Sequence, residues 1–355
     1  MSEATDPAAT KTGLRHTGSC SCSMDRRGFL GAGLGASLGC GAYVAMALGA
    51  APLMTRRAFA QQPKGEAQLS TPFARVEKMA DGVWAVVSVT TGGDFTTVSN
   101  GGIVAGRDGV LCIEGFNTPA GGRWINQLAK ELTGRWPDYV VLTHLHGDHS
   151  NGLEGYLRAD GGPKIISTVT TRELMAERAA TVAGEPDGMG LVNASIKTVL
   201  PDGLMPADED RLSIDLGGRT VTLRQRKGHT PSDVTVHVDS PRVVFTGDLV
   251  FNGLFPFYGD AIPSLWIDAL DNLLDDDRTA YVPGHGSVAS RGDLKPYLEL
   301  MRHTGDAAKR AVEAGVPASE AWQRYEIPES LGEWGKFRPD VYRFAFEAWE
   351  RELRG

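Results

Sequence analysis

Tyr139-Val140-Val141-Leu142-Thr143-His144-Leu145-His146-Gly147-Asp148-His149 runs four strand-forming residues directly into a cluster of metal-binding side chains. The opening residues read as a short buried strand. Gly147 then permits the turn on which His144, His146, Asp148 and His149 can converge. A lone His-x-His is weak evidence. His-x-His-x-Asp-His behind a hydrophobic strand is a strong signal, because a metal needs several donors within about 2 Å of one point.

The chain has eight histidines, and five stand beside turn glycines or acids at the ends of apparent strands. Besides the three above, these are His229 in Gly228-His229-Thr230-Pro231 and His285 in Pro283-Gly284-His285-Gly286. Thr246-Gly247-Asp248 adds a carboxylate in the same setting. His237 alternates within an apparent strand and His303 lies on an apparent helix, so both read as structural.

Around these motifs, Gly82-Val83-Trp84-Ala85-Val86-Val87-Ser88 and residues 101–104 and 109–114 read as strands. Trp124, Ile125, Leu128 and Leu132 fall at helical spacing, in a helix that Pro137 is expected to close. Residues 220–226, 233–238, 242–246 and 281–282 read as later strands, with a helix over 265–274. From Asp293 onward the chain reads as helices rich in aromatics, from Trp322 to Trp349. Two β-rich halves with helices suggest two sheets face to face, helices outside.

In order, the four motifs over about residues 75–290 resemble the metallo-β-lactamase fold superfamily. The resemblance implies an α/β (α+β) four-layer αββα sandwich with metals at the edge where the sheets meet. It places His144, His146 and His229 around a first metal, Asp148, His149 and His285 around a second, and Asp248 as their bridge. The expected domain spans 73–290, followed by a helical extension, 291–355.

Two Zn2+ ions suit these donors, and iron or manganese are alternatives because imidazole and carboxylate do not select one metal. Two cations sharing a water lower its pKa from about 15.7 towards neutrality, giving a hydroxide nucleophile. Asp248 as bridge and Asp148 as proton carrier to the leaving group are the expected catalytic carboxylates. The expected function is hydrolysis of an ester, thioester, lactone, lactam or similar small substrate. Alternatives are a mononuclear iron oxygenase of the persulfide-dioxygenase type and a non-catalytic periplasmic partner of a quinoprotein. The finer layout, including Gly259-Asp260-Ala261-Ile262-Pro263-Ser264, resembles metallohydrolases associated with periplasmic quinoproteins. In that strand before the first long helix, Glu114 stands where many members have aspartate.

Arg26-Arg27-Gly28-Phe29-Leu30 leads into an uncharged stretch ending near Thr55, and Ala58-Phe59-Ala60 offers a cleavage site. This layout resembles a twin-arginine signal over 1–60, with a polar linker over 61–72 and a periplasmic destination. Cleavage leaves no membrane anchor and removes Cys20, Cys22 and Cys40, so Cys112 remains alone, a buried strand cysteine. It also removes six Lys/Arg and three Asp/Glu, leaving 30 against 41, a net charge of −11. So acidic a domain is a poor nucleic-acid binder, which leaves a small molecule as the expected partner.

Overall fold

The first sheet of the computed structural model begins as a meander. Its strands β1 (Glu66–Ser70), β2 (Ala74–Ala80), β3 (Val83–Ser88), β4 (Gly101–Ala105) and β5 (Val110–Ile113) pair antiparallel in sequence order. Helix α1 (Pro119–Thr133) then crosses the sheet, so β6 (Tyr139–Val141) lies parallel to β5. Helix α2 (Gly147–Ser150) follows, and β7 (Lys164–Thr168), α3 (Val169–Val182) and β8 (Gly203–Met205) complete an eight-stranded sheet. The described residues are 65–89, 94–159, 161–182, 196–206, 208–274 and 277–355. The twin-arginine segment, Cys20, Cys22, Cys40 and Ala60 lie outside them.

The second sheet has six strands: β9 (Arg211–Asp215), β10 (Thr220–Arg226), β11 (Asp233–Val238), β12 (Val243–Phe251), β13 (Ala280–His285) and β14 (Ala289–Ser290). Helix α4 (Pro263–Leu273) crosses between β12 and β13, which are its parallel pair. Helices α5 (Arg291–Glu313), α6 (Ala318–Ala321) and α7 (Val341–Arg354) follow. Among the described residues, no helix is long and apolar enough to cross a membrane.

Side-chain alternation decides the layering. Val83, Ala85, Leu111 and Ile113 of the first sheet meet Val221, Leu223, Val236 and Phe245 of the second in one buried cluster. On the first sheet's other face, Ile125, Leu128 and Ala129 of α1 pack with Trp84, Ile103 and Cys112. Residues of α4, α5 and α7 join Leu249, Phe251 and Tyr281 in a third cluster. This is the αββα sandwich expected.

Three local expectations are corrected. The linker holds strand β1 at residues 66–70, whose five residues are all exposed, so it shows no alternating pattern. Helix α1 ends four residues before Pro137, because Gly134 takes the left-handed conformation (φ 77°) and its N–H caps the Lys130 carbonyl. Strand β12 runs on past residue 246 to Phe251, and β13 continues to His285. Both extensions carry functional side chains.

Candidate metal centre

Every expected ligand sits where a strand of either sheet ends or bulges at one edge of the sandwich. His144 and His146 follow β6, and Asp148 and His149 lie in the single turn of α2. His229 occupies the connection from β10 to β11, and His285 is the last residue of β13. Asp248 lies within β12, where the register against β13 shifts on either side of Gly247. Gly247 has φ 52°, a conformation that L side chains rarely adopt, and this bulge aims the next carboxylate at the edge. Gly284 leaves room for it, since a Cβ there would stand 1.9 Å from Asp248 Oδ1.

The structure brings all seven side chains together, each of them buried. His146 Nδ1 lies 3.1 Å from His144 Nε2 and 2.9 Å from His229 Nε2. Asp248 Oδ2 is 3.4 Å from His229 Nε2 and 3.8 Å from His144 Nε2. The other oxygen, Oδ1, faces the second trio, 3.1 Å from His149 Nε2 and 3.2 Å from His285 Nε2. Asp148 Oδ2 closes that trio, 3.3 Å from His285 Nε2 and 3.5 Å from His149 Nε2. Donors about 2.0–2.1 Å from a tetrahedral zinc stand about 3.3 Å from one another, so both groups have the spacing of a coordination shell. Buried Asp248 Oδ1 and His149 Nε2 also make no hydrogen bond of acceptable geometry despite their proximity, as expected of atoms directed at a cation. The residues present fit a divalent metal site.

The opposite ring nitrogens are anchored. His144 Nδ1 is 3.0 Å from Thr143 Oγ1, whose hydroxyl donates to Glu114 Oε1 at 2.5 Å. His149 Nδ1 is 3.0 Å from the same Glu114 oxygen, an ion-pair contact without hydrogen-bond geometry, and His229 Nδ1 is 3.1 Å from the Phe257 carbonyl. His146 Nε2 is held 2.8 Å from Asp260 Oδ2. The hydrogen bonds at His144, His146 and His229 fix the tautomer and leave the inner lone pair for a metal. Glu114 therefore reaches two histidines from the place where an aspartate was expected, held at φ 75°.

Burial lowers His144 well below its ordinary value and takes His229 to about 3. Burial alone would also lower His149 and His285, but the Asp248 carboxylate and its neighbours outweigh it, raising His149 well above its usual range and His285 to about 9. Asp248 itself stays ionised: His285 and His149 more than offset the effect of burial. The carboxylates of Asp248, Asp148 and Glu114 thus set a negative potential at His149 and His285 that favours positive charge there, a proton or a metal cation.

Sequence reasoning gave no role to Asp260, although it quoted the loop, and missed Asn100. The Asn100 side chain accepts from Ser88 N–H at 2.8 Å and donates to the carbonyls of Pro283 (2.9 Å) and Gly286 (2.7 Å). Its backbone N–H donates to the Gly284 carbonyl at 2.7 Å, so one residue of the first sheet grips the turn carrying His285. A turn-forming Asn100-Gly101 pair was the only signal. Cys112 is buried in β5, where burial pushes its thiol up, and His237 and His303 lie outside the cluster. Of the C-terminal aromatics, Phe337 and Phe344 pack on Phe257, whose ring centre is 6.0 Å from that of His146.

Comparison with known proteins bears on the family and the fold. An uncharacterized protein of Mycobacterium leprae is 29% identical over 175 residues, 46% of this chain and 77% of that one. A metallo-beta-lactamase type 2 of Bacillus sp. (strain 170) is 25% identical over 241 residues, 64% of this chain and 82% of the relative. The solved stereoselective inverting sec-alkylsulfatase from Pseudomonas sp. shares the fold, with TM-score 0.62, 16% identity, 79% of this chain and 50% of that chain. This chain therefore spans about half of that sulfatase. A metallo-beta-lactamase from Pontibacter korlensis superposes with TM-score 0.52 at 22% identity, over 64% of this chain and 99% of that chain. The family model described as the metallo-beta-lactamase superfamily matches residues 99–285, more than half of the sequence and all seven clustered side chains. The chain belongs to the metallo-beta-lactamase superfamily and is a metal-dependent hydrolase.

Proposed function

We propose that this protein is an exported dinuclear zinc hydrolase that cleaves a small ester, thioester, lactone, lactam or sulfate ester. The observation that carries the reading is the division of Asp248, with Oδ2 turned to the first histidine trio and Oδ1 to the second trio. A carboxylate shared in this way suits two cations and is unneeded for one. When bound, the two metals supply Lewis acidity for the scissile group and an activated water.

The chain's own residues do the rest. Asp248 keeps the two trios in register, and Asp148 lies beside His149 and His285, placed to carry a proton towards a leaving group. Asp260 and Glu114 hold His146 and His149 in the orientation a ligand needs. Phe257 adds an apolar surface beside His146, suited to a substrate with a hydrocarbon part. The alkylsulfatase names among the relatives support including sulfate esters in that class. Periplasmic location and a quinoprotein partner rest on the signal-like N-terminus and the finer resemblance.

Metal analysis of protein purified without added metal, with a hydrolysis screen over these five ester-like classes, tests the reading. Near two zinc per chain and turnover abolished by chelator are expected. One iron per chain, with oxygen consumption and no hydrolysis, overturns it.

A further inference from the structure

Away from the metal edge, a cavity of about 320 Å3 opens on the outer face of the second sheet. Arg224 and Arg226 of β10, His237 of β11 and Arg242 just before β12 supply its polar wall. Val244, Leu273 and Tyr281 form an apolar side. His237 pairs with Val244, four residues before Asp248 on the same strand, or about 13 Å along it. The cavity is therefore separate from the metal centre.

The strand period puts the arginines there. Val221 and Leu223 point into the core between the sheets, so Arg224 and Arg226 share the opposite face. Arginine on an outer face is ordinarily a solvated charge. Here Arg224 Nε is shielded from solvent and has no hydrogen-bond partner, a costly arrangement unless something else accepts from it. The lining groups include three guanidiniums and one carboxylate, Asp239, in a chain whose net charge is −8. Burial, followed by the two neighbouring arginines, lowers His237 to about 3, so the imidazole stays neutral and its Nε2 engages Thr235 Oγ1 at 2.9 Å.

We propose that this cavity is a second ligand site, for a soluble phosphomonoester. Guanidinium groups pair with phosphate oxygens through parallel hydrogen bonds and keep their charge when partly buried. The cavity lies at the lower end of the range for small-molecule sites, about 300–1,000 Å3, and is larger than a bare phosphate. The apolar side then takes the organic part, while Arg224, Arg226 and Arg242 hold the phosphate.

Calorimetric titration of the metal-loaded full chain with phenyl phosphate, and separately with inorganic phosphate, tests this. One saturable event is expected at the cavity, at least tenfold weaker in the Arg224→Gln/Arg226→Gln double variant and retained in Asp248→Asn. Hydrolytic turnover of the double variant should match the parent. If that variant does not fold, Arg242→Gln carries the same expectation of weaker binding. Tighter binding of phenyl phosphate assigns the apolar side to the organic part, and equal binding overturns that part of the proposal and leaves a site for the phosphate group alone. Absence of binding, binding unchanged by the arginine substitutions, or binding lost in Asp248→Asn overturns the proposal.

Discussion

Asp260 Oδ2 lies 2.8 Å from His146 Nε2, on the far side of the ring from the nitrogen that faces His144 and His229. The hydrogen bond to His146 is the leading reason the Asp260 carboxyl falls to about 2, although the side chain is 54% exposed. It stays ionised at neutral pH and selects the tautomer whose Nδ1 lone pair is free.

Asp260→Asn should therefore weaken the first metal position by about 10–100-fold, the usual effect of losing such a support. Competition with a chromophoric chelator measures this, and the second position should change little. Equal loss at both positions would contradict the assigned role.

Glu114 supports two ligands through one oxygen, so its removal should act on both trios. Glu114→Ala is expected to lower metal content at both positions and to destabilise the fold, because Thr143 Oγ1 loses a buried acceptor and His149 Nδ1 a neighbouring negative charge. Glu114→Gln, which keeps the shape but not the charge, should fall between the alanine variant and the parent in cobalt-substituted absorption spectra.

The ionisation pattern predicts a stability maximum in metal-free protein. His285 at about 9 and the raised His149 add stability that is fully present below about pH 6.5 and lost as the pH climbs through 9. Buried His229 at about 3 and the lowered His144 act oppositely, adding stability above about pH 6.5 that is lost on acidification. Thermal melting in chelator should peak near that pH. Metal must displace protons from His149 and His285, so the melting-temperature gain on adding zinc should widen from pH 6.5 to 9. A gain independent of pH would count against these assignments.

Trp266 is fully buried, its ring 5.0 Å from those of His229 and Tyr258, and its Nε1–H donates to the Leu249 carbonyl at 2.9 Å. Trp266→Ala should cost about 3–5 kcal/mol in denaturant unfolding. Trp266→Phe should cost less, since most of the apolar volume remains.

The clustered side chains were legible because each stands beside a turn residue at the end of an apolar run, as in Val282-Pro283-Gly284-His285. Asp260 was not, because its partner His146 is 114 residues away and its loop has no period to read. The continuation of β12 was hidden by Gly247-Asp248, a pair that is rare in regular strands and is accommodated here by a bulge against β13. Strand β1 escaped notice because an edge strand with all five residues exposed offers no buried face. The arginine-lined cavity was hidden because Arg224 and Arg226 alternate with core residues as any outward-facing charges would.

Asn100 joins carbonyls 183 and 186 residues further along the chain, through bonds in which no cation takes part. The turn bearing His285 is thereby locked to the first sheet by the polypeptide alone. That clasp sets the His285 imidazole against the opposite sheet by amide and main-chain bonds, so its reach does not depend on which cation the imidazole and carboxylate donors take.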